Sequence, residues 1–228
     1  METINEILRA GGRRCALLGD PGAACALIQP VDGRELAAME AEAAQLRLLT
    51  RTPFLLAAFD AGEWNDALSP WPAPAVFRGR DFGGGAAQTL EHLLGAVMPA
   101  VAERCSSPGR RWLLGGYSLA GLFALWATTR TDAFAGAAAV SPSVWFPGWL
   151  DYAREHPPRS PRVYLSLGDR EERTRNPVMA RVGDAIRAQH ALLCGGTESV
   201  LEWNPGSHFV EPQARTAKGF AWLLNRET

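Results

Sequence analysis

Short apolar runs recur along the chain and are separated by segments with a helical pattern. The runs are rich in Leu, Ala, Val and aromatic residues, and glycine or proline often bounds them. They cover residues 14–18, 24–29, 54–59, 111–114 and 134–141, and two more mixed stretches, 162–167 and 198–203, are also predicted strands. Continuous apolar runs of this length are typical of strands that are buried on both faces of a sheet.

The intervening segments predict helices, and two of them show the pattern clearly. Residues 33–50 and 86–104 place apolar side chains three or four positions apart, and Pro99 is expected to kink the second segment. Further helices are predicted over residues 122–127, 148–154, 177–193 and 211–225. Because strands and helices alternate from residue 35 onward, we expect an α/β fold whose mostly parallel central sheet carries helices on both faces.

The start of the chain departs from this alternation. Residues 14–18 and 24–29 are joined by Gly-Asp-Pro-Gly, which predicts that the two runs pair as an N-terminal antiparallel hairpin. No repeat, low-complexity stretch or linker divides the 228 residues, so a single domain over residues 1–228 is expected.

Composition and charge argue against several classes of binding partner, including nucleic acids and membranes. A formal charge of −1 gives no indication of nucleic-acid binding, and no apolar stretch is long enough to span a membrane. The N-terminus lacks the apolar core of a signal peptide, so a cytoplasmic location is expected. The four cysteines show no metal-ligand spacing, and we expect neither a metal nor another cofactor. The oligomeric state, including a homodimer, stays open.

Candidate chemistry centres on Ser118. The sequence Gly-Gly-Tyr-Ser-Leu-Ala-Gly at residues 115–121 lies between a predicted strand and a predicted helix, as in a nucleophile elbow. In such a turn the serine hydroxyl stands above the sheet edge, and small residues at positions 116, 120 and 121 avoid collisions with the neighbouring elements. The pattern alone is weak evidence in a chain rich in glycine and alanine, and Ala120 stands where glycine is usual.

A nucleophilic serine needs a histidine to accept its proton and a carboxylate to orient that histidine. In this type of sheet the partners follow the serine in the order acid, then histidine, which excludes His92. His156 precedes a strand and belongs at the opposite edge, and His190 lies within a predicted helix. His208 follows the last predicted strand and is therefore the candidate base.

The candidate acid comes from the loop after the strand at residues 162–167. Asp169, Glu171 and Glu172 are the three carboxylates of this loop. Glu171 is favoured because it lies three residues past Gly168, which leaves enough chain for it to turn back towards a histidine. Asp169 is also suited to capping the turn, and the choice among the three stays open.

An oxyanion hole requires two N–H donors near Ser118. The first is the backbone N–H of Leu119, and the second is expected from Gly62, Glu63 or Trp64, of which Trp64 is our choice. These three begin a long segment, residues 60–85, whose aromatic residues argue against disorder: Trp64, Trp71, Phe77 and Phe82. Tyr117, next to the candidate nucleophile, is expected to contact the substrate.

Four pieces of the sequence together resemble a known family. They are the elbow at residues 116–124, Ser-Pro-Ser-Val-Trp-Phe at 141–146, Gly-Asp-Arg-Glu at 168–171 and Gly-Ser-His-Phe at 206–209. They resemble the α/β-hydrolase family that includes esterase D, feruloyl esterases, trilactone siderophore esterases and the mycolyltransferases. The resemblance covers roughly residues 50–228, and the Ser-Pro-Ser-x-Trp piece is its most specific part.

The resemblance implies an α/β-hydrolase core without a lid domain, with Ser118 as nucleophile, His208 as base and a carboxylate near Glu171. It also implies that Trp145 lines the acyl or alcohol pocket. The expected activity is a serine carboxylesterase acting through an acyl-enzyme on a small or aromatic ester. Two alternatives stay open: an acyltransferase of the same fold, and a non-catalytic binding module on a hydrolase scaffold.

Overall fold

The computed structural model describes residues 4–76, 79–107 and 109–227. Its strands, in chain order, are β1 (Ile4–Ala10), β2 (Arg13–Gly19), β3 (Cys25–Val31), β4 (Leu55–Asp60), β5 (Pro72–Ala73), β6 (Phe82–Gly83), β7 (Arg111–Tyr117), β8 (Gly136–Val140), β9 (Arg162–Gly168) and β10 (Glu198–Asn204). Its α-helices are α1 (Met39–Leu49), α2 (Trp64–Ala67), α3 (Ala86–His92), α4 (Met98–Ala102), α5 (Leu119–Arg130), α6 (Trp149–Glu155), α7 (Val182–Leu193) and α8 (Pro212–Leu224).

One eight-stranded sheet organises the described residues, with the order β1-β2-β4-β3-β7-β8-β9-β10. From β4 to β10 every neighbouring pair in this order is parallel, whereas β1 with β2 and β2 with β4 are antiparallel. The predicted α/β class and the mostly parallel sheet are confirmed.

Helices cover both faces of the sheet. α1 and α8 pack on one face around buried residues such as Leu46 and Phe220, while α3, α5, α6 and α7 pack on the other. Both cores are apolar, as the continuous runs of the central strands require. No helix in the described parts of the chain combines the length and apolar character needed to cross a bilayer.

The N-terminal hairpin exists, but its predicted pairing is wrong. β2 pairs with β1, a strand absent from the prediction, and β3 lies on the far side of β4. The end of β2 packs directly on the start of β4, where Asp20 N–H donates to Phe54 O at 2.9 Å. Because β3 is buried along its whole length, it takes a central position with parallel neighbours on both sides.

The predicted helix over residues 86–104 is interrupted. α3 and α4 are separated by a π-helical turn at Leu93–Val97, and Pro99 lies in the first turn of α4. Proline has no N–H to donate to the preceding turn, so a disturbance is expected at this point. The segment at residues 60–85 contains α2 and the two-residue ladder of β5 with β6, and Phe77 lies outside the described residues.

The carboxyl ends of the parallel strands share one edge. Tyr117 is in register with Val140, Val140 with Ser166, and Gly168 with Asn204. The loops after β7, β8, β9 and β10 therefore leave the sheet side by side, which is where ligands bind in open α/β sheets.

Candidate active site

Ser118 occupies a sharp turn between β7 and α5. Its backbone has φ 59° and ψ −120°, an unusual conformation for a residue with a side chain. Val140 O accepts its N–H at 3.0 Å, and its own carbonyl accepts Ser143 N–H at 3.1 Å. The turn is thus anchored to β8 and to the loop that follows it, which holds the hydroxyl at a defined position.

The small residues around Ser118 allow this turn to form. A Cβ on Gly116 would lie 2.5 Å from Cβ of Ala120, and a Cβ on Gly121 would lie 3.0 Å from Gly116 O. β7 and α5 therefore approach too closely for larger side chains at these positions. Ala120 itself is completely buried.

A continuous chain of hydrogen bonds links Ser118, His208 and Glu171. His208 Nε2 lies 3.1 Å from Ser118 Oγ, and His208 Nδ1 lies 2.7 Å from Glu171 Oε2. The serine comes from the turn after β7, the acid from the loop after β9 and the histidine from the loop after β10. The geometry matches a nucleophile, a base and a carboxylate that orients the base.

Glu171 is held at both oxygens. While Oε2 faces His208, Oε1 accepts the Ser141 hydroxyl at 2.7 Å, Gly168 N–H at 2.8 Å and Arg215 Nη1 at 3.2 Å. Burial raises the pKa of Glu171, but the hydrogen bonds and the charge of His208 outweigh it, and the net pKa lies below the ordinary value. The carboxylate form is therefore stabilised despite its burial.

The other two candidate acids lie elsewhere in the loop. Asp169 Oδ1 accepts Gly206 N–H at 2.8 Å and joins the loops after β9 and β10. Glu172 faces Arg187, with the charged atoms 3.8 Å apart. Of the three carboxylates, the structure brings Glu171 to His208.

Tyr117 and Arg215 secure the loop that carries His208. The Tyr117 hydroxyl donates to His208 O at 2.7 Å, and Arg215 Nη1 donates to that hydroxyl at 3.2 Å. Arg215 Nη2 also donates to Pro205 O at 2.8 Å, before the histidine. Tyr117 was predicted as a substrate contact, and its hydroxyl is engaged with the protein itself, although the residue also lines a cavity beside Ser118.

Two cavities of about 400 Å³ each meet at Ser118 and His208. The first, here called the α1 cavity, extends towards β3 and α1 and is lined by Gln29, Glu42, Trp64 and Tyr117 among others. The second, here called the β9 cavity, extends over the loop after β9 and is lined by Trp145, Arg170, Arg173 and Met179 among others. The two predicted tryptophans, Trp64 and Trp145, thus lie on opposite sides of the serine.

The two predicted oxyanion donors, Leu119 and Trp64, are each the first residue of a helix. Leu119 is the first residue of α5, so its N–H has no acceptor within the helix and is available beside Ser118. Trp64 is the first residue of α2 and lines the α1 cavity together with Ser118. Leu119 directly follows Ser118 in the chain, and Trp64 lines the same cavity as Ser118.

Several residues of the site were missed in the sequence. Ser141 and Ser143 lie in the Ser-Pro-Ser motif, and Ser143 Oγ is 3.5 Å from Ser118 Oγ, so the motif was a usable signal. Arg215 gave no signal, because an arginine on a predicted helix is most simply interpreted as exposed. Gln29 lies within a strand and Glu42 within a helix, and neither belongs to a recognisable motif. In the described residues, no group of three or more potential ligands could hold a metal ion.

Comparison with known proteins identifies the fold. No protein-family model and no curated protein sequence matches the chain. An IroE-like serine hydrolase from Shewanella oneidensis superimposes with a TM-score of 0.80 at 16% identity, covering 100% of this chain and 81% of that one. The siderophore hydrolase EstB from Aspergillus nidulans gives 0.74 at 21%, covering 96% and 93%. EstA from the same organism gives 0.70 at 19%, covering 99% and 95%. The chain has the α/β-hydrolase fold of these proteins, as predicted.

Proposed function

We propose that this protein is a serine carboxylesterase that acts through an acyl-enzyme on Ser118. The observation that carries the proposal is the hydrogen-bonded chain from Ser118 Oγ through His208 to Glu171. The descriptions of the similar structures, a serine hydrolase and two siderophore hydrolases, support the same class of reaction. An intact chain of this kind also argues against a binding module that has lost its activity.

Acylation begins when His208 Nε2 takes the proton of Ser118 Oγ as the oxygen attacks the ester carbonyl. Glu171 accepts the other ring N–H and stabilises the imidazolium that forms. The negative charge on the carbonyl oxygen develops towards Leu119 N–H and a second donor at Trp64. His208 then protonates the departing alcohol.

Deacylation repeats these steps with water in place of Ser118. The same imidazole removes a proton from water, which attacks the acyl group, and the serine regains its proton as the acid leaves. The α1 cavity and the β9 cavity hold the two sides of the ester, because they meet at the nucleophile. Their combined space suits a small or aromatic ester, with Trp64, Tyr117 and Trp145 as contacts.

The test combines turnover with covalent labelling. Wild-type protein is expected to hydrolyse p-nitrophenyl acetate and butyrate and to be labelled by a fluorophosphonate. Ser118→Ala is expected to lower kcat/KM by about a thousandfold or more and to abolish labelling. Ser199→Ala is the matched control, since Ser199 lies near the amino end of β10, at the opposite edge of the sheet.

Two results would contradict the proposal. Labelling and turnover that survive Ser118→Ala would remove Ser118 as the nucleophile. Preferential transfer of the acyl group to an added alcohol, rather than to water, would identify an acyltransferase instead.

The substrates tested should also include siderophore esters, because two of the similar structures are siderophore hydrolases.

A further inference from the structure

Glu42 is a buried acid that the proposed mechanism does not use. It lies on α1, and only 2% of its surface is exposed. Gln29 Nε2 donates to its Oε1 at 2.7 Å, and no basic side chain in the described residues forms an ion pair with it. Burial, with a further contribution from the charge of Glu35, raises the pKa of Glu42 to about 8 although the Gln29 hydrogen bond opposes this. The carboxyl is therefore mostly protonated at neutral pH.

The position of Glu42 connects it to the active site. Glu42 and Gln29 line the α1 cavity, which also reaches Ser118 and His208. Gln29 occupies Oε1 of the carboxyl, and Oε2 has no hydrogen-bond partner among the described residues. A buried carboxyl reduces stability unless a partner compensates it, and an apolar residue would pack here at lower cost. Oε2 is therefore open to a hydrogen bond from a ligand in the cavity.

The charges around the cavity indicate what that ligand carries. Asp32, Glu35 and Glu42 all line it, and Arg34, the one arginine or lysine among its described lining residues, is bound by Asp32. Arg34 Nε and Nη2 donate to the two Asp32 oxygens at 3.0 and 2.7 Å. No arginine or lysine of the cavity therefore remains free to attract an anion. The Glu35 carboxylate favours a cation, and Glu42 does so once it loses its proton.

The two cavities differ in the charged residues that line them. Arg170 and Arg173 line the β9 cavity, and Arg170 Nε lies 3.8 Å from Asp169 Oδ1. Glu171 is the only carboxylate among the described lining residues, and His208 and Arg215 already engage it, so Arg173 leaves this cavity with positive charge. A substrate with a cationic end would thus enter the α1 cavity and be repelled from the β9 cavity. The opposite charges favour one orientation of an ester across Ser118.

We propose that Glu42, positioned by Gln29, binds a primary ammonium group on the substrate within the α1 cavity, so that the preferred esters carry an amine on one side of the scissile bond. The proposal rests on the proposed esterase function. On binding, the O–H bond of the Glu42 carboxyl breaks and its proton passes to solvent. The ammonium group keeps its three protons and donates one of them to Oε2, so binding releases one proton.

The first test compares pairs of esters that differ only in charge. Each pair has a terminal ammonium group in one ester and a methyl group in the other, in the alcohol part or in the acyl part, over a series of chain lengths. In the wild type, kcat/KM for the best ammonium ester is expected to exceed that of its methyl partner by about tenfold or more. The excess should grow as the pH rises towards the pKa of Glu42, and then level off, because less proton release is then required.

Two variants of α1 separate the subsite from a general effect of charge. Glu42→Gln keeps the shape of the side chain but cannot ionise, so the ammonium preference should fall about tenfold and lose its pH dependence. Glu40→Gln removes a charge from the exposed face of the same helix and should leave the preference unchanged. An unchanged preference in Glu42→Gln, or a wild-type enzyme without any ammonium preference, would overturn the subsite.

The second test does not depend on turnover. In the Ser118→Ala background, calorimetry of ammonium-ester binding in buffers of different protonation enthalpy should show release of about one proton near neutral pH. Release should be absent with Glu42→Gln and with the methyl ester. If neutral esters are cleaved but no proton is released, the subsite is wrong and the esterase assignment stands. If no ester is cleaved but the proton is released, the subsite stands and the proposed function fails.

Discussion

Arg215 Nη1 lies 3.2 Å from Glu171 Oε1, and both side chains are almost completely buried. The same nitrogen contacts the Tyr117 hydroxyl, which in turn holds His208 O. One guanidinium thus connects the acid of the site to the loop that carries the base. The arrangement explains how the loop after β10 can hold its histidine close to both partners.

Replacing Arg215 is expected to lower activity by displacing Glu171 and His208, because Arg215 positions these residues. Arg215→Lys keeps the charge but loses the planar fork, so kcat should fall about tenfold while KM changes little. Arg215→Met leaves Glu171 without this partner and should lower the free energy of unfolding by about 3 kcal/mol or more. Steady-state kinetics and urea denaturation measure the two effects. Equal kcat in all three proteins would remove Arg215 from the positioning network.

The three acids of the loop after β9 are expected to behave very differently when neutralised. Glu171→Gln places an amide against His208, so the ring loses its carboxylate and kcat should fall about ten-thousandfold. Glu172→Gln alters a partly exposed pair with Arg187 and should change kcat less than about twofold. Asp169→Asn keeps an oxygen for Gly206 N–H and should also stay near the wild-type rate. Hydrolysis of p-nitrophenyl butyrate compares the variants, and a large loss in Glu172→Gln or Asp169→Asn would contradict the assignment of Glu171.

The contact between β7 and α5 predicts a steric coupling at the turn. Gly116→Ala would bring its Cβ to 2.5 Å from Ala120 Cβ and 2.8 Å from Ala120 C, so stability should fall by about 1–3 kcal/mol and activity with it. Ala120→Gly should cost about 1 kcal/mol because glycine destabilises a helix. The double variant should recover only part of the Gly116→Ala loss, since the backbone contact remains. Additive losses in a thermal double-mutant cycle would rule out the coupling.

Glu42 predicts a pH dependence of stability with a definite sign. Its pKa rises from 4.5 to about 8 in the folded protein, so between these values the folded state binds a proton that the unfolded state has lost. The contribution of the buried acid is complete below pH 4.5 and is lost as the pH rises through about 8.

The corresponding measurement compares the wild type with Glu42→Gln, which does not titrate. Relative to the variant, the wild type should lose stability on the order of a few kcal/mol between about pH 5 and pH 8. Chemical denaturation at these two pH values gives the difference, with Glu40→Gln as the control for removing one charge from α1. A constant difference across the range would show that Glu42 is ionised in the folded protein.

The sequence by itself determined the α/β class and the edge where the candidate site lies. Continuous apolar runs that alternate with helices require a mostly parallel sheet, and in such a sheet the loops that carry Ser118, Glu171 and His208 leave from the same edge. These inferences depend on local pattern and chain order, which are properties of the sequence.

Only the tertiary structure decided which strands pair and which side chains come into contact. The partner of β2 depended on β3 being covered on both edges, which a turn signal at residues 19–22 does not reveal. Glu171 was distinguished from Asp169 and Glu172 by side-chain contacts from Ser141 and Arg215, which lie 30 and 44 residues away in the chain. Glu42 is one of several charged residues in a predicted helix, and its burial arises from the packing of α1 on α8 and the sheet, where Gln29 of β3 reaches it. Contacts between distant residues set these outcomes, and no local pattern encodes them.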